Sequence, residues 1–226
     1  MDRSIQEFDL DSIKPHSCIL NLGKRRSGKS YLSRDLIYNH FLKFKKYKFY
    51  ILISPTAFLN DDYSFIPDEY KFENFSEKLL TSLFNRQTQL IKKYGKKANI
   101  DTLLILDDCI DLSNKRQSNL LSYVFVRGRH LKISCLANFQ YLKSVELKPS
   151  TRQQLDYIFI FGQSNKETIK LISDEWVSGE GVELISTIPD RETHKIMVID
   201  NTINSDNIYW YRAEEIPKNF KIKKPY

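Results

Sequence analysis

Short runs of apolar residues alternate along this chain with longer segments in which apolar residues recur every three or four positions. The short runs are nearly continuous, which is typical of strands covered on both faces of a sheet. They lie at 18–22, 49–53, 102–106, 133–137 and 157–161. The intervening helical spacing predicts helices at about 29–44, 75–94, 114–126 and 165–173. Alternating strands and helices predict an α/β domain with a mainly parallel central sheet flanked by helices.

The two ends of the chain depart from this alternation. Residues 1–16 are polar overall, and we expect them to lie over the core as an arm. Strands at about 195–200 and 207–212 flank a turn-rich segment, which predicts a terminal β-hairpin. The predicted organisation is an arm at 1–16, a main domain at 17–200, and a hairpin with a basic tail at 201–226 packed on that domain.

An eight-residue loop between the first strand and the first helix carries the most specific motif. Residues 23–30 read GKRRSGKS and fit G-x-x-x-x-G-K-[ST], the phosphate-binding loop (Walker A) of P-loop NTPases. Its glycines allow the backbone to wrap a phosphate closely, and the helix that follows presents free N–H groups to an anion. Lys29 is expected between the β- and γ-phosphates of ATP, and the Ser30 hydroxyl on Mg²⁺. The predicted nucleotide contacts are Gly23, Lys24, Arg25, Arg26, Ser27, Gly28, Lys29, Ser30 and Tyr31.

Two carboxylates end the third apolar run and form a second nucleotide motif. The sequence LLILDD at 103–108 is a Walker B pattern, in which Asp107 would hold Mg²⁺ and Asp108 would polarise the water that attacks the γ-phosphate. A strand–helix pair fits between the two motifs, and another strand follows Asp108. This arrangement predicts a three-layer, RecA-like fold of the ASCE division, in which a strand lies between the two motif strands.

Further polar residues follow the next helix and strand. Gln140, or else Asn138, is predicted to sense the γ-phosphate, although both amides could instead serve the loop backbone. Arg127 and Arg129 could reach into a neighbouring subunit's site as arginine fingers, or could complement the dipole at the end of a helix. Arg152 is a second finger candidate.

Composition changes this picture in two ways. A formal net charge of +7 over 226 residues suggests a polyanionic partner. Lysine clusters at 43–48, 92–97 and 218–224 could contact DNA phosphates without reading sequence, or could be ordinary solvated faces. No apolar stretch approaches the roughly 20 residues of a membrane span, and three widely spaced cysteines predict reduced core thiols of an intracellular protein.

The combined motifs resemble the poxvirus-type genome-packaging ATPases of large nucleo-cytoplasmic DNA viruses and virophages, which belong to the FtsK–HerA superfamily. The segments that carry the resemblance are GKRRSGKS at 23–30, ILISPT at 51–56, LILDD at 104–108, RGRH at 127–130 and ANFQ at 137–140. The similarity runs over roughly residues 17–200. One departure concerns the wider superfamily, in which the second Walker B acid is commonly Glu; Asp108 has a shorter reach.

This resemblance implies a function, partners and a location. It implies an ATPase that uses ATP and Mg²⁺ to translocate double-stranded DNA into a preformed capsid. It further implies a homo-oligomeric ring, pentameric or hexameric, that meets a capsid vertex or portal protein, in the host cytoplasm at the viral factory and in the virion. The roles implied for Lys29, Ser30, Asp107, Asp108 and Gln140 are those given above.

Three other functions remain open at this point. One is a small-substrate P-loop kinase of the nucleoside type, although the sequence has no arginine-rich lid segment. Another is a nucleotide-dependent scaffold at the capsid vertex that hydrolyses little ATP. A cellular FtsK/HerA-like DNA pump is the third.

Overall fold

The structure is a computed structural model that describes residues 5–43, 47–59, 61–110, 114–140, 148–177, 181–202 and 208–222. Its strands are β1 (Cys18–Leu22), β2 (Tyr47–Ile53), β3 (Lys71–Phe72), β4 (Asp101–Asp107), β5 (Ile133–Phe139), β6 (Tyr157–Ile160), β7 (Ile196–Asp200) and β8 (Ile208–Tyr211). Its α-helices are α1 (Lys29–Asp35), α2 (Glu77–Tyr94), α3 (Lys115–Arg127), α4 (Pro149–Arg152), α5 (Lys166–Trp176) and α6 (Gly181–Thr187). A π-helix, Leu36–Leu42, continues α1, and 3₁₀ turns lie at Leu10–Ser12, Asp68–Tyr70 and Arg129–Leu131.

All eight strands belong to one sheet, in the order β3-β2-β4-β5-β1-β6-β7-β8. The strands from β3 to β6 in this order are parallel, and β7 and β8 add an antiparallel hairpin at one edge. The expected inserted strand is β5, which pairs with β1 on one side and β4 on the other. The polar segments that follow β1, β4 and β5 therefore meet at the carboxyl ends of these parallel strands, where ligands bind in such folds.

Helices and chain segments cover both faces of this sheet, giving three layers. One face packs mainly on α2, α3, α5 and α6, through residues such as Leu80, Leu121 and Ile172. The other face packs on α1, the π-helix and the segment between β2 and β3, through residues such as Leu36 and Ile66. Because each central strand is buried on both sides, its sequence is mostly apolar rather than alternating.

The predicted helices and strands are confirmed, with shifts of a few residues at their ends. Asn165 caps α5 as expected, since its side chain accepts a hydrogen bond from the Thr168 amide at 3.0 Å. Gly95, with a φ of 81°, ends α2 as expected. The sequence did not predict β3, α4 or α6, nor the change of α1 from α- to π-geometry. Phe44, Lys45, Lys46, Lys223, Lys224 and most of the hairpin turn lie outside the described residues.

Residues near the two ends of the chain pack on the face that carries α1. Phe8, Leu10 and Ile13 are buried there, and the Phe8 amide donates to the Trp210 carbonyl at 2.8 Å. The division into arm, main domain and tail remains a prediction.

A buried carboxylate ties α1 to the end of the chain. Asp35 accepts hydrogen bonds from the Tyr211 hydroxyl at 2.6 Å, the Asn39 amide group at 2.6 Å and the Glu214 backbone N–H at 3.2 Å. We call this cluster the Asp35 clasp. Across the described ranges, no helix combines the length and the apolar character needed to cross a membrane.

Candidate nucleotide-binding site

The phosphate loop, residues 23–30, leaves the carboxyl end of β1 and enters α1. The Gly23 amide donates to the Phe139 carbonyl at 3.0 Å, which holds the start of the loop against the end of β5. A Cβ at Gly23 would lie 2.5 Å from Ser27 Oγ and 2.7 Å from Phe161 Cβ, so the loop has room only for glycine. Gly28 has a φ of 100°, a left-handed conformation that other residues adopt at a cost. Both motif glycines are therefore required, Gly23 by the side chains packed against it and Gly28 by its backbone conformation.

Lys29 begins α1 with its side chain folded back over the loop. Its side-chain nitrogen Nζ donates to the carbonyls of Gly23 at 2.8 Å and Lys24 at 3.1 Å. Burial lowers the pKa of Lys29, and the nearby carboxylates of Asp108 and Asp107 act in the opposite direction. The ammonium group thus lies between the loop and the acidic pair, where it can balance the charge of a bound phosphate.

Two further features of the loop suit a phosphate. Ser27 Oγ is buried and has no hydrogen-bond partner among the described residues, which is costly unless an additional group satisfies it. Lys24, Arg25 and Arg26 are exposed around it, and Tyr31 is 37% exposed on the first turn of α1. An anion bound by the loop would meet the orphaned hydroxyl and the surrounding positive charge.

The acidic pair lies at the carboxyl end of β4. Asp107 is buried, and its Oδ1 accepts a hydrogen bond from the Asn138 side-chain amide at 2.8 Å. Burial raises the pKa of Asp107; Asp108 adds to this effect, whereas Asn138, Tyr63 and Lys29 oppose it. Asp108 has a φ of 48° and is exposed, so the strained turn directs its carboxylate away from the core.

Ser30 and Asp107 fit a magnesium ion by the chemistry of their donors. A hydroxyl and a carboxylate are the hard oxygen ligands that Mg²⁺ prefers. Within the described part of the chain, no group of three or more His, Cys, Asp or Glu side chains could hold a metal by itself. In the usual protein site for Mg²⁺, one or two such ligands act together with water and substrate phosphates, which complete the coordination.

The two candidate sensor residues have different surroundings. Gln140 is exposed, and its side-chain amide donates to Asp108 Oδ2 at 3.0 Å. Asn138 is fully buried: its amide nitrogen binds Asp107, and its oxygen accepts from Asn21 at 2.9 Å and Ser33 at 3.0 Å. Gln140 therefore faces the space in front of the acidic pair, whereas Asn138 lies behind it.

Sequence reasoning missed the residues that surround Asn138. Asn21, Ser33 and Tyr63 form a buried polar network with Asn138 and Asp107. Asn21 could have been found, because an amide in the middle of a buried apolar strand needs a partner. Nothing in the sequence singled out Tyr63, which comes from the segment between β2 and β3.

The finger candidates lie away from this chain's own phosphate loop. Arg127 ends α3 with its guanidinium 4.5 Å from the ring centre of Tyr123, and Arg129 follows in a 3₁₀ turn. Both precede the amino end of β5, a strand of seven residues. Since the site lies beyond the carboxyl end, about 20 Å of strand separates them from it. Either arginine could complete only a neighbour's site, as a finger in trans does.

Arg152 corrects the expectation of a second finger. Its side chain is 7% exposed and donates to Glu175 Oε2 from two nitrogens, at 2.9 and 2.7 Å. Removing Arg152 from this pair would leave a largely buried carboxylate without its cation, which is strongly unfavourable. Arg152 therefore stabilises the packing of α4 on α5 and is not available to another subunit.

Of the lysine clusters, the one at 92–97 is the most fully described. Lys92, Lys93, Lys96 and Lys97 are exposed at the end of α2 and in the turn that follows it. Lys43, in another cluster, pairs with Asp11 at 2.9 Å.

Comparison with solved structures identifies similar folds. The chain is 20% identical to the genome packaging NTPase B204 of Sulfolobus turreted icosahedral virus 2 in complex with AMPPCP, with a TM-score of 0.65 over 89% of this chain and 100% of that one. It is 14% identical to the cytoplasmic domain of the type VII secretion ATPase EccC from Thermomonospora curvata, with a TM-score of 0.58 over 91% of this chain and 26% of that one. At these identities, the likeness establishes the fold.

Sequence comparison adds viral relatives and a family. Protein 088R of Invertebrate iridescent virus 3 is 31% identical over 231 residues, covering 92% of this chain and 84% of the relative. Protein L437 of Acanthamoeba polyphaga mimivirus is 28% identical over 227 residues, covering 93% and 78%. The family model for the poxvirus A32 protein matches residues 5–215. The chain therefore belongs to the poxvirus A32 protein family.

Proposed function

We propose that this protein is a viral DNA-packaging ATPase, which hydrolyses ATP to translocate double-stranded genomic DNA into a preformed capsid. The observation that carries the proposal is the meeting of four site residues at the carboxyl ends of the central strands, namely Lys29, Asp107, Asp108 and Gln140. Membership of the poxvirus A32 family supports it. So does the shared fold with B204, itself described as a genome packaging NTPase.

The site residues divide the work of hydrolysis. The phosphate loop binds the phosphates through its backbone N–H groups, and Lys29 balances the charge between them. Ser30 and Asp107 would hold Mg²⁺, which neutralises charge on the phosphate oxygens. Asp108 orients and polarises the attacking water, while Gln140, hydrogen-bonded to Asp108, reports on the γ-phosphate.

Translocation needs partners that the single chain does not contain. We assign the protein to a homo-oligomeric ring, pentameric or hexameric, that acts at a capsid vertex or portal within the infected cell. The exposed lysines at 92–97 are candidates for sequence-independent contact with DNA phosphates. Arg127 and Arg129, remote from their own phosphate loop, are candidates for fingers in the neighbouring site.

The strand order also bears on the alternative kinase function. Placement of β5 between the two motif strands is the arrangement of the NTPase division that contains motors. This order disfavours a nucleoside kinase, for which phosphate transfer to a nucleoside would be the direct test.

Steady-state ATP hydrolysis measured with and without long double-stranded DNA, over a range of protein concentration, tests the proposal. We expect turnover per subunit to rise with both variables, because DNA engages the ring and the ring completes each site. Lys29→Ala serves as the control and is expected to lose hydrolysis. Turnover that is indifferent to DNA and to concentration, or that persists in Lys29→Ala, would contradict the proposal.

A further inference from the structure

Tyr63 places a buried hydroxyl behind the acidic pair. The residue is 2% exposed and its ring lies 6.1 Å from that of Phe65, in the core that covers the α1 face of the sheet. The Asn138 amide nitrogen lies 3.3 Å from the Tyr63 hydroxyl and 2.8 Å from Asp107 Oδ1. Tyr63 thus connects the segment between β2 and β3, through Asn138, to the acidic pair.

The hydroxyl of Tyr63 contacts the residue that holds Asp107. It accepts a hydrogen bond from the Asn138 side-chain amide, whose nitrogen also donates to Asp107 Oδ1. A side-chain amide has two N–H donors, so Asn138 can make both hydrogen bonds at once. Asp107 is therefore held from behind by a neutral donor, the Asn138 amide, which the Tyr63 hydroxyl in turn orients.

Such donors fix the orientation of a carboxylate that binds a metal. A ligand side chain that is hydrogen-bonded on one side keeps its remaining lone pairs directed to the other, where a metal can bind.

We propose that Tyr63 is a positioning residue, which orients the Asp107 carboxylate toward the Mg²⁺–ATP substrate without touching the substrate itself. The inference rests on the proposed function, since it concerns the same site. It also gives the segment between β2 and β3 a part in the reaction that its sequence did not indicate.

The chain offers two matched controls in the same hydrophobic core. Tyr47 is buried, and its hydroxyl lies 2.6 Å from Ser134 Oγ at the opposite end of the sheet. Tyr50 is buried, and its hydroxyl has no hydrogen-bond partner in the part of the chain that the structure describes. Substitution by phenylalanine at each of the three positions removes one hydroxyl from the same core, but of the three hydroxyls only that of Tyr63 contacts residues of the site.

The test compares Tyr63→Phe, Tyr47→Phe and Tyr50→Phe with the wild-type protein. Two quantities are measured: ATP turnover as free Mg²⁺ is titrated, and binding of a fluorescent non-hydrolysable ATP analogue with Mg²⁺ or with EDTA. In Tyr63→Phe we expect the Mg²⁺ concentration for half-maximal turnover to rise about tenfold and kcat to fall about tenfold, in the range found for residues behind metal ligands. Binding in EDTA should be unchanged, which also shows that the variant is folded.

Wild-type Mg²⁺ dependence in Tyr63→Phe, or an equal change in the two controls, would overturn the proposal. The binding measurement distinguishes a failure of this proposal from a failure of the proposed function. A protein that binds the analogue in a Mg²⁺-dependent manner but hydrolyses no ATP would contradict the ATPase, whereas a Mg²⁺ effect lost only in Tyr63→Phe would still support the positioning role.

Discussion

Asn138 and Gln140 are two positions apart, yet their surroundings give them different tasks. Asn138 is enclosed, and each end of its amide is bound to a buried polar group. Gln140 is exposed and has one described contact, with Asp108. Removal of Asn138 therefore leaves several buried groups without partners, whereas removal of Gln140 leaves the core intact.

We expect Gln140→Ala to lower kcat about 10- to 100-fold, as for a residue that positions reacting groups, with nucleotide affinity and stability nearly unchanged. Asn138→Ala is expected to lower the free energy of unfolding by about 2–4 kcal/mol, since buried partners lose their hydrogen bonds. Turnover, nucleotide binding and urea unfolding measured on both variants check the distinction. Wild-type turnover in Gln140→Ala would remove it as the sensor.

Asp101 lies at the amino end of β4, on the opposite side of the sheet from the nucleotide site, between two basic side chains. His16 Nε2 is 3.2 Å and Lys132 Nζ is 2.7 Å from its carboxylate oxygens. Burial of Asp101 is the largest influence on its pKa and raises it, but His16 and Lys132 together outweigh burial and hold the pKa below its ordinary value. Asp101 is therefore more acidic in the folded protein than in the unfolded chain.

This shift fixes the sign of a pH dependence. The contribution of Asp101 to stability is complete above its unfolded pKa, close to 3.8, and is lost as the pH falls through the lower folded pKa. We expect Asp101→Asn to lower the free energy of unfolding at pH 7 by about 3–5 kcal/mol, because Lys132 is left largely buried and unpaired. The difference in the free energy of unfolding between Asp101→Asn and the wild type should narrow as the pH falls below about 3.8. Urea unfolding between pH 7 and pH 3 measures it.

Asp68→Asn is the matched control, because Asp68 pairs with Lys71 but is itself 81% exposed. It is expected to change stability by less than about 1 kcal/mol at any pH. An equally small effect of Asp101→Asn would show that the buried pair contributes nothing net.

At the scale of whole elements, the sequence predicted what is long or continuously apolar. Strands such as β4 and helices such as α2 contain enough regularly spaced buried residues to be recognised from the sequence. The short elements α4 and β3 were missed, since four and two residues are too few to show a period. The π-helix after α1 was missed for another reason: its side chains keep a helical spacing, and only the backbone hydrogen bonds differ.

The end of α3 carries a prediction of its own, because it projects basic residues away from the chain's own site. If Arg127 or Arg129 is a finger in trans, its replacement by Ala should lower turnover by about 10³-fold or more while ATP binding is kept. Mixing such a variant with Lys29→Ala subunits should restore part of the turnover, since each supplies what the other lacks. Arg152→Ala serves as the comparison and is expected to lose about 3–5 kcal/mol of stability instead.

Full turnover in both Arg127→Ala and Arg129→Ala would exclude the finger assignment. Loss of turnover without recovery in the mixture would indicate that the arginine stabilises the fold and does not act in a neighbouring subunit's site.

At the scale of the whole molecule, the site is assembled from segments far apart in sequence. The motif residues could be predicted because their spacing is fixed by the chemistry of phosphate and metal. The contacts among Asn21, Ser33, Asn138 and Tyr63 could not, because they depend on how β1, α1, β5 and the segment between β2 and β3 pack together. Local patterns carry no record of such packing.

The Asp35 clasp offers a test of this long-range assembly. Tyr211→Phe removes a donor from a buried carboxylate, so we expect about 1–3 kcal/mol less stability and weaker nucleotide binding through the loosened α1. Tyr209→Phe, on the same strand and only partly buried, is the control. Unfolding measured with and without ATP compares them, and equal behaviour of the two variants would contradict a role for the clasp.

The same clasp sets an order in time. Asp35 and Tyr211 are 176 residues apart, and a ribosome adding about 5–20 residues per second needs roughly 9–35 s to make the second after the first. During that interval the phosphate loop is already synthesised, but the helix behind it still lacks its final anchor. Nascent chains stalled before residue 208 should therefore bind nucleotide poorly, and a newly made subunit should reach its full affinity only after β8 has emerged.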